Sequence, residues 1–418
     1  MIKKKLIKSA LFLGAGGVSM SRIAKAYIDM GVNVYAYDRA RSQNLNGLKK
    51  CGAKTTNKFC DSFTNVDICI RSPAVPNTNR YVSTLTQKNI PIIDRIDALN
   101  DLSKSFGTVI AVAGTHGKST TAALIFHILK HAGESVSCHI GADVDGERFS
   151  LGDKYLVVEA CEYNKSFLHL NPDIAVVTNV EADHMDTYHN MFDMRVSFIK
   201  FVKKARLRYA FDTNSNKFLS GIRGVNFVSS ECEYKTKLSG EYNKQNIALA
   251  VRVCHDLGVS DEIIRQAVEI FNGVGGRNEY IGECYEAKAY IDYAHHPTEI
   301  ECFISGFIGN DCQIVFQPHT YSRTKYLFDE FVRVLNNIDN LIIYKEYPAR
   351  ENKSQGVSAY QLYKAVRREN PNVKYANCPK RLKPLLLKQG KIAFVGAGDI
   401  SRICKKLTTN LTKTVDKT

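Results

Sequence analysis

The sequence predicts an α/β protein with three domains, each built around a mainly parallel sheet. Three observations lead to this prediction. The chain has 418 residues, and a domain of roughly 150 residues is a common size. Short apolar runs alternate with helical patterns along its length, as they do in parallel βα units. Glycine-containing loops follow apolar runs at residues 14–17, 114–117 and 396–398.

Composition excludes several classes of protein. Apolar residues make up 44% of the chain, which is enough to build cores and rules out a disordered protein. No apolar run reaches the roughly 18 residues that a membrane span requires. Twelve cysteines without a CxxC pair fit a reducing compartment, so we expect a cytoplasmic protein. The net charge of +15 predicts an anionic partner: nucleic acid, a membrane surface or a phosphorylated substrate.

Residues 1–107 are predicted to form the first domain. Three lysines at positions 3–5 precede an apolar stretch and imitate a secretory signal peptide, but Lys8 interrupts that stretch. We therefore interpret residues 6–13 as the first strand of a nucleotide-binding type of domain.

The glycine loop after this strand is a candidate substrate-binding element. Its glycines let a backbone approach a diphosphate, and Asp38 follows the next predicted strand, 32–37, where it would lie near a ribose. Ser19 stands where the GxGxxG fingerprint has its third glycine, so a plain tight turn stays open as the alternative. The candidate substrate-binding residues of this domain are Gly14, Gly16, Gly17, Ser19, Asp38 and Ser72.

The second predicted domain, residues 108–272, contains the strongest motif of the chain. A continuous apolar run at 108–113 predicts a buried parallel strand, and it leads into the loop Gly114-Thr115-His116-Gly117-Lys118-Ser119-Thr120 and a helical pattern. Backbone N–H groups of such a loop surround phosphate oxygens, while Lys118 would balance phosphate charge and Ser119 would reach Mg²⁺. Position 112 lacks the glycine of the strict motif, so the alternative is a turn with a surface lysine.

Two candidate metal ligands lie at the ends of neighbouring predicted strands. Glu159 ends the strand 155–159, and His184 follows the strand 173–179. Together they could hold one or two Mg²⁺ ions beside the loop at 114–120, called the phosphate loop below. Each has a simpler alternative, a surface carboxylate and a hydrogen-bonded histidine, and imidazole is an unusual ligand for a hard cation.

The third predicted domain, residues 273–418, also alternates strands and helices. His296, His319 and Arg323 lie in segments after two of its predicted strands, where they suit the binding of an anionic substrate. For any one of them, a core histidine or a helix cap is the alternative. The predicted strands of this domain are 289–293, 313–317, 340–344 and 391–395.

A basic segment at 198–209 carries aromatic residues among its lysines and arginines. This pattern allows a nucleic-acid-binding patch. Its helical spacing favours the other interpretation, an amphipathic helix with a solvated basic face.

Taken together, these motifs resemble the Mur ligase family over nearly the whole chain. The resemblance implies a UDP-sugar-binding domain, a central P-loop ATPase domain and a C-terminal Rossmann-like domain. The stretches that carry it are 114–120, 159–167, 178–186, 273–277, 292–299, 317–324, 347–351 and 395–400.

The alanine-adding branch of this family is the most similar, which implies a reaction and its partners. ATP would phosphorylate the lactyl carboxylate of UDP-N-acetylmuramate, and the amine of L-alanine would then displace the phosphate. Mg²⁺ would be the cofactor, and we expect a cytoplasmic monomer or homodimer that binds no nucleic acid. The excess of positive charge would then serve polyanionic small molecules.

The resemblance also assigns roles to individual residues. Catalytic roles fall to Lys118, His184 and His296, and Mg²⁺ ligation to Ser119, Glu159 and His184. Contacts to the nucleotide fall to Gly114, Thr115, His116, Gly117, Lys118, Ser119, Thr120, Asn243, Asn246, Arg277 and Asp292. Contacts to the substrates fall to the six candidate residues of the first domain named above, and to His296, His319 and Arg323.

Two other functions stay open at the level of sequence. One is a ligase that attaches a preformed peptide to the same UDP-sugar in wall recycling. The other is a basic P-loop ATPase stimulated by nucleic acid, which would show a steep dependence on salt.

Overall fold

The computed structural model describes residues 7–147, 149–185, 187–230, 234–238, 240–307, 311–349, 351–352 and 356–408. Three sheets follow one another along the chain, in the three-part α/β architecture that the sequence predicts. The lysines at positions 3–5 lie outside the described residues, and the domain limits near 107 and 272 stay predictions. Within the described ranges, none of the helices combines the length and apolarity that crossing a bilayer requires.

The first unit is a parallel sheet with helices on both faces. Its elements are β1 (Ser9–Leu13), α1 (Val18–Asp29), β2 (Asn33–Tyr37), α2 (Gln43–Lys50), β3 (Lys54–Thr56), β4 (Ile68–Arg71), α3 (Arg80–Gln87), β5 (Ile92–Asp94) and α4 (Arg95–Ser103). The strand order is β3-β2-β1-β4-β5. The chain changes direction across the sheet between β1 and β4, and open α/β sheets bind ligands at such a switch point. The glycine loop follows β1 and therefore lies there.

The central unit is a six-stranded sheet in which every pairing is parallel. Its elements are β6 (Thr108–Ala113), α5 (Lys118–His131), β7 (Val136–His139), β8 (Tyr155–Glu159), β9 (Ile174–Val177), α6 (Met191–Lys204), β10 (Leu207–Phe211), β11 (Val225–Val228), α7 (Glu241–Asp256) and α8 (Asp261–Ile270). The order is β11-β10-β9-β6-β8-β7. Because β6 lies between β8 and β9, the loops after these three strands meet at one edge.

The third unit contains a six-stranded sheet with one antiparallel edge. Its elements are β12 (Glu279–Cys284), β13 (Glu286–Asp292), α9 (Pro297–Phe307), β14 (Cys312–Phe316), α10 (Tyr321–Tyr326), α11 (Phe328–Leu335), β15 (Leu341–Tyr344), α12 (Ala359–Val366), β16 (Lys374–Ala376), α13 (Pro379–Leu382), β17 (Gln389–Val395) and α14 (Ile400–Thr408). The order is β12-β13-β17-β14-β15-β16.

The antiparallel hairpin of β12 and β13 departs from the predicted alternation of strands and helices. Only Tyr285 separates the two strands, and its φ is 58°. A parallel pair needs a long crossover connection, so a link this short permits only antiparallel pairing.

The first and central units share an apolar core, whereas the third unit has its own. One cluster of buried residues continues from a face of the first sheet into a face of the central sheet. Phe106 and Phe149 lie in this region, with ring centroids 5.8 Å apart. The third unit has two clusters of its own, one on each face of its sheet.

The basic segment forms α6 and the strand after it. Phe198 and Phe201 are fully buried, and Phe198 packs edge-on against Phe167 with ring centroids 5.0 Å apart. The lysines of this helix, Lys200 among them, are exposed. Since its aromatic rings belong to the core, the helical part of the segment is amphipathic and has a solvated basic face.

We predict that Phe198→Ala lowers the free energy of unfolding by about 3–5 kcal/mol, because it leaves a cavity in the shared core. Phe192 on the same helix is 75% exposed, so Phe192→Ala is the matched control and should change stability by less than about 0.5 kcal/mol. Urea unfolding followed by circular dichroism measures both. Equal effects of the two substitutions would contradict the packing of α6.

Candidate active site

The phosphate loop connects β6 to α5 and depends on two glycines. Gly114 has a φ of 144° and Gly117 a φ of 81°, conformations that favour glycine. A Cβ on Gly114 would lie 2.0 Å from Thr178 Oγ1, and one on Gly117 would lie 2.2 Å from Asn246 Oδ1. Backbone conformation and close packing therefore both require glycine at these positions.

Lys118 begins α5, and its ammonium group folds back over the loop. Nζ donates to the carbonyl oxygens of Gly114 at 2.6 Å and Thr115 at 3.0 Å, and it lies 3.1 Å from Glu162 Oε1. Burial by itself lowers the pKa of a lysine, but Glu162, Cys161 and Glu159 together outweigh burial and raise the pKa of Lys118 above its ordinary value. The loop thus holds a permanently charged cation.

Ser119 and Glu159 form the first of two oxygen-rich groups beside Lys118. Ser119 Oγ donates to Glu159 Oε2 at 2.9 Å, and the Gly141 N–H donates to the same oxygen at 2.8 Å. Two oxygen ligands of an octahedral Mg²⁺ ion are about 3 Å apart, since each metal–oxygen bond is roughly 2.1 Å. The two side chains therefore fit a magnesium ion.

Glu162 and His184 form the second group. Glu162 Oε1 lies 3.6 Å from His184 Nε2, and Glu162 Oε2 is buried without a hydrogen-bond partner among the described residues. A buried carboxylate oxygen without a partner is costly unless a cation or water satisfies it. This group therefore also fits a cation, with Glu162 supplying the oxygen that a hard cation prefers.

A cavity of about 570 Å³ lies against the phosphate loop, lined by residues of the central and third units. Such a volume suits a small-molecule ligand. Seven of the eleven predicted nucleotide contacts line it: His116, Gly117, Thr120, Asn243, Asn246, Arg277 and Asp292. The other four belong to the loop itself; among them, Lys118 and Ser119 face the carboxylates described above.

His116 of the phosphate loop connects the central unit to the third. Its Nε2 lies 3.5 Å from Glu181 Oε2, and its Nδ1 lies 3.2 Å from Glu299 Oε1 of α9. Burial lowers the pKa of a histidine, but the two carboxylates outweigh burial and raise the pKa of His116 to about 9. The ring of His296 is 4.6 Å away, centroid to centroid.

A second polar contact between the same units involves Arg323 and Asp183. Arg323 Nε donates to Asp183 Oδ1 at 3.0 Å, and Arg323 Nη1 lies 3.1 Å from His319 Nδ1. Burial raises the pKa of a carboxyl group, but Arg323, with His184 and His295, outweighs burial and lowers the pKa of Asp183. The charge of Arg323 is therefore already balanced in this conformation.

The histidines of the third unit are held neutral. Burial and then Arg323 lower the pKa of His319 to about 4. Burial also lowers the pKa of His296, whose Nε2 lies 3.3 Å from the Ala182 carbonyl oxygen. A neutral imidazole can accept a proton, which a charged one cannot.

Asp292 and Arg277 lie where the third unit closes the cavity. Asp292 accepts hydrogen bonds from the N–H groups of Asn278 and Ala294, both at 2.7 Å, and burial raises its pKa to about 6 although Arg277 opposes the shift. Arg277 Nη1 lies 3.6 Å from Glu299 Oε1.

The glycine loop of the first unit gathers the residues predicted for it. The Gly16 N–H donates to Asp38 Oδ2 at 2.8 Å, and a Cβ on Gly14 would lie 2.8 Å from Ser72 Cβ. The side chain of Asp38 therefore holds the glycine loop in place by accepting a hydrogen bond from the loop backbone. Ser19 Oγ lies 2.7 Å from His139 Nε2 of the central unit.

Sequence reasoning missed four carboxylates of this site. Each stands within three positions of a residue that the motifs singled out, and that proximity was the available signal. The missed residues are Glu162, Glu181, Asp183 and Glu299. Residue 186, part of the stretch that includes His184, lies outside the described residues.

The raised pKa of His116 leads to a prediction about stability and pH. A histidine whose pKa is higher in the folded state stabilises the fold fully below its unfolded pKa of about 6.5, and this stabilisation is lost as the pH rises through about 9. The shift corresponds to about 3 kcal/mol. His116→Gln should therefore show a smaller fall in unfolding temperature between pH 6.5 and 9 than the unchanged protein. His131→Gln, at an exposed position of α5, is the control, and identical profiles for all three proteins would refute the assignment.

Comparison with known proteins shows similarity along nearly the entire chain. The Mur ligase family catalytic domain matches residues 10–107, the Mur ligase middle domain matches 112–217, and the Mur ligase glutamate ligase domain matches 276–389.

Individual relatives and solved structures extend this similarity. UDP-N-acetylmuramate–L-alanine ligase of Aquifex aeolicus is 34% identical, over 96% of this chain and 98% of that protein. The ligase of the same name from Geotalea uraniireducens is 32% identical, over 97% of this chain and 98% of that protein. The crystal structure of UDP-N-acetylmuramate–alanine ligase from Thermotoga maritima shares the fold, with a TM-score of 0.82 and 22% identity, covering 97% of this chain and 99% of that one. The chain belongs to the Mur ligase family.

Proposed function

We propose that this protein is an ATP-dependent ligase that joins L-alanine to the lactyl carboxylate of UDP-N-acetylmuramate, a step of peptidoglycan precursor synthesis in the cytoplasm. The observation that carries the proposal is the phosphate loop, which has a cavity of small-molecule size against it and two carboxylate-containing groups beside Lys118. Relatives at 34% and 32% identity bear the name of this activity.

The reaction has two steps that balance in atoms and charge. An oxygen of the lactyl carboxylate attacks the γ-phosphorus of ATP, so that an acyl phosphate forms and ADP leaves. The amine of L-alanine then attacks the acyl carbon, loses a proton, and expels phosphate from the tetrahedral intermediate. Both steps develop negative charge on oxygen, and positioned positive charges stabilise it.

The nucleotide would lie along the phosphate loop and in the cavity beside it. Backbone N–H groups at the start of α5 and the charged Lys118 would hold the phosphates. Asn243 and Asn246 would contact the adenine, and Arg277 and Asp292 would close the cavity from the third unit. These contacts are proposals that follow from the residues lining the cavity.

Ser119, Glu159 and His184 would hold Mg²⁺, together with Glu162. When bound, Mg²⁺ neutralises the charge of the transferring phosphoryl group. The protein orients this centre itself: the Gly141 N–H fixes Glu159, and Lys118 fixes Glu162.

The UDP-sugar would bind with its diphosphate at the glycine loop and its carboxylate at the phosphate loop. His319 and Arg323 would face the UDP-sugar acid and L-alanine. For this, Arg323 would release part of its ion pair with Asp183. His296 is the candidate to accept the proton of the attacking amine, because its ring is neutral. Its Nε2–H donates to the Ala182 carbonyl oxygen at 3.3 Å, so the basic nitrogen is Nδ1, which accepts a long contact of 3.3 Å from the Thr298 N–H. We keep the expectation of a monomer or homodimer.

The two alternative functions have less support. The curated relatives reported above are named for alanine addition, which does not favour a peptide-adding ligase. The aromatic residues Phe198 and Phe201 that suggested nucleic-acid binding are buried.

We predict phosphate release that requires UDP-N-acetylmuramate and L-alanine together, and that falls when a tripeptide replaces alanine. Lys118→Ala should lower this rate by roughly 100-fold or more, because a positioned charge is lost from the transition state. Lys200→Ala removes an exposed lysine and should leave the rate unchanged. Phosphate release that needs neither the sugar acid nor an amine would refute the proposed function.

Glu159→Gln should raise the Mg²⁺ concentration for half-maximal turnover by roughly tenfold or more, because loss of even an indirect metal partner costs about 10–100-fold in affinity. Titration of phosphate release with Mg²⁺ at saturating substrates measures this. Glu134→Gln, at a surface ion pair with Lys154, is the control. A midpoint equal to that of the control would remove Glu159 from the metal site.

A further inference from the structure

Arg95 lies at the boundary between the first and central units. Its Nη1 donates to Ser19 Oγ at 2.6 Å, and the part of the chain that the structure describes offers it no ion pair. The other arginine of this boundary, Arg22, is paired with Glu147 and also donates to the carbonyl oxygen of Ala142 at 3.5 Å. A half-buried guanidinium group without a counter-ion is a place where an anion gains binding energy.

His139 stands on the other side of Ser19. Its Nε2 lies 2.7 Å from Ser19 Oγ, the residue is only 4% exposed, and its Nδ1 is buried without a hydrogen-bond partner among the described residues. Burial, with Arg22 and Arg95, lowers the pKa of His139 to about 3. The ring is therefore neutral, and the positive charge of this cluster resides on the arginines.

The cluster of Arg95, Ser19 and His139 lies between two parts of the candidate active site. Ser19 follows the glycine loop in the first turn of α1. His139 is paired with Val158 in the parallel ladder of β7 and β8, directly before Glu159, and two residues after His139 the Gly141 N–H binds Glu159. A substrate that reaches from the glycine loop to the phosphate loop would therefore lie close to the cluster of Arg95, Ser19 and His139.

The chemistry of the proposed substrate identifies which of its groups would bind Arg95. The diphosphate would bind the glycine loop and the N-terminus of α1, whereas the carboxylate has to approach Glu159 and Glu162 against their negative charge. Arg95 would offset that repulsion, since a guanidinium group donates to carboxylate oxygens in a fixed geometry. Binding of one carboxylate oxygen leaves the other free to attack phosphorus.

We propose that Arg95 binds the lactyl carboxylate of the UDP-sugar acid, with Ser19 beside it and His139 as the positioning residue that holds Ser19. This inference rests on the proposed function and adds to it the group that distinguishes a sugar acid from a sugar without a carboxylate. Arg95 is accordingly a residue that determines substrate specificity.

Isothermal titration of the full-length protein with two sugar nucleotides tests this assignment. UDP-N-acetylmuramate carries the carboxylate, and UDP-N-acetylglucosamine has the same diphosphate without it. Arg95→Gln should weaken binding of the acid by roughly 30-fold or more and change binding of UDP-N-acetylglucosamine by less than about threefold. Arg95→Lys keeps the positive charge and should weaken binding of the acid less than Arg95→Gln does. Arg265→Gln, at an exposed ion pair of α8, is the control for loss of one positive charge.

Three outcomes would overturn the assignment. Equal weakening for both ligands would show that Arg95 serves the diphosphate or the fold, and no weakening for either would show that it binds neither. A His139→Asn variant whose KM rises for ATP as much as for the sugar acid would show a general structural role; we expect a rise for the sugar acid alone. An unchanged protein that binds no UDP-N-acetylmuramate would instead refute the proposed function.

Discussion

The order of three parallel strands in the central sheet is the constraint on which the candidate site depends. β6 lies between β8 and β9, and parallel strands present their carboxyl ends at one edge, so the loops after these strands must meet. The phosphate loop, Glu159 and His184 come from these three loops. Glu162 follows β8 and contacts both Lys118 and His184. The order of the strands therefore brings the Lys118 ammonium group and the carboxylate of Glu162 together.

The two junctions of the central unit differ in their chemistry. Toward the first unit, a continuous apolar cluster is buried. Toward the third unit, the contacts near the site are ion pairs and hydrogen bonds, such as those of Arg323 with Asp183 and of His116 with Glu299. Water can replace polar contacts, whereas exposing an apolar core carries the full hydrophobic cost. Separating the third unit at these contacts therefore exposes less apolar surface than separating the first unit, and the cavity of about 570 Å³ lies at the junction with the third unit.

Sequence reasoning succeeded where local chemistry fixes the structure. The apolar run at 108–113 is β6 without change of limits, and the predicted helix follows the loop, beginning at Lys118. It failed for short edge strands such as β3 and β16, which have too few residues to show a period. It also missed the hairpin of β12 and β13, because a single turn residue, Tyr285, decides that pairing.

The sequence by itself determined the three-part α/β architecture and selected the phosphate loop, Glu159 and His184 as the candidate site, because apolar runs and glycine positions are local properties. Only the tertiary structure decided which charges face one another. Asp183 and Arg323 are 140 residues apart in the chain and meet across two units. The partners of a charge depend on strand order and on the packing of one unit against another, and neither is encoded in the residues next to that charge.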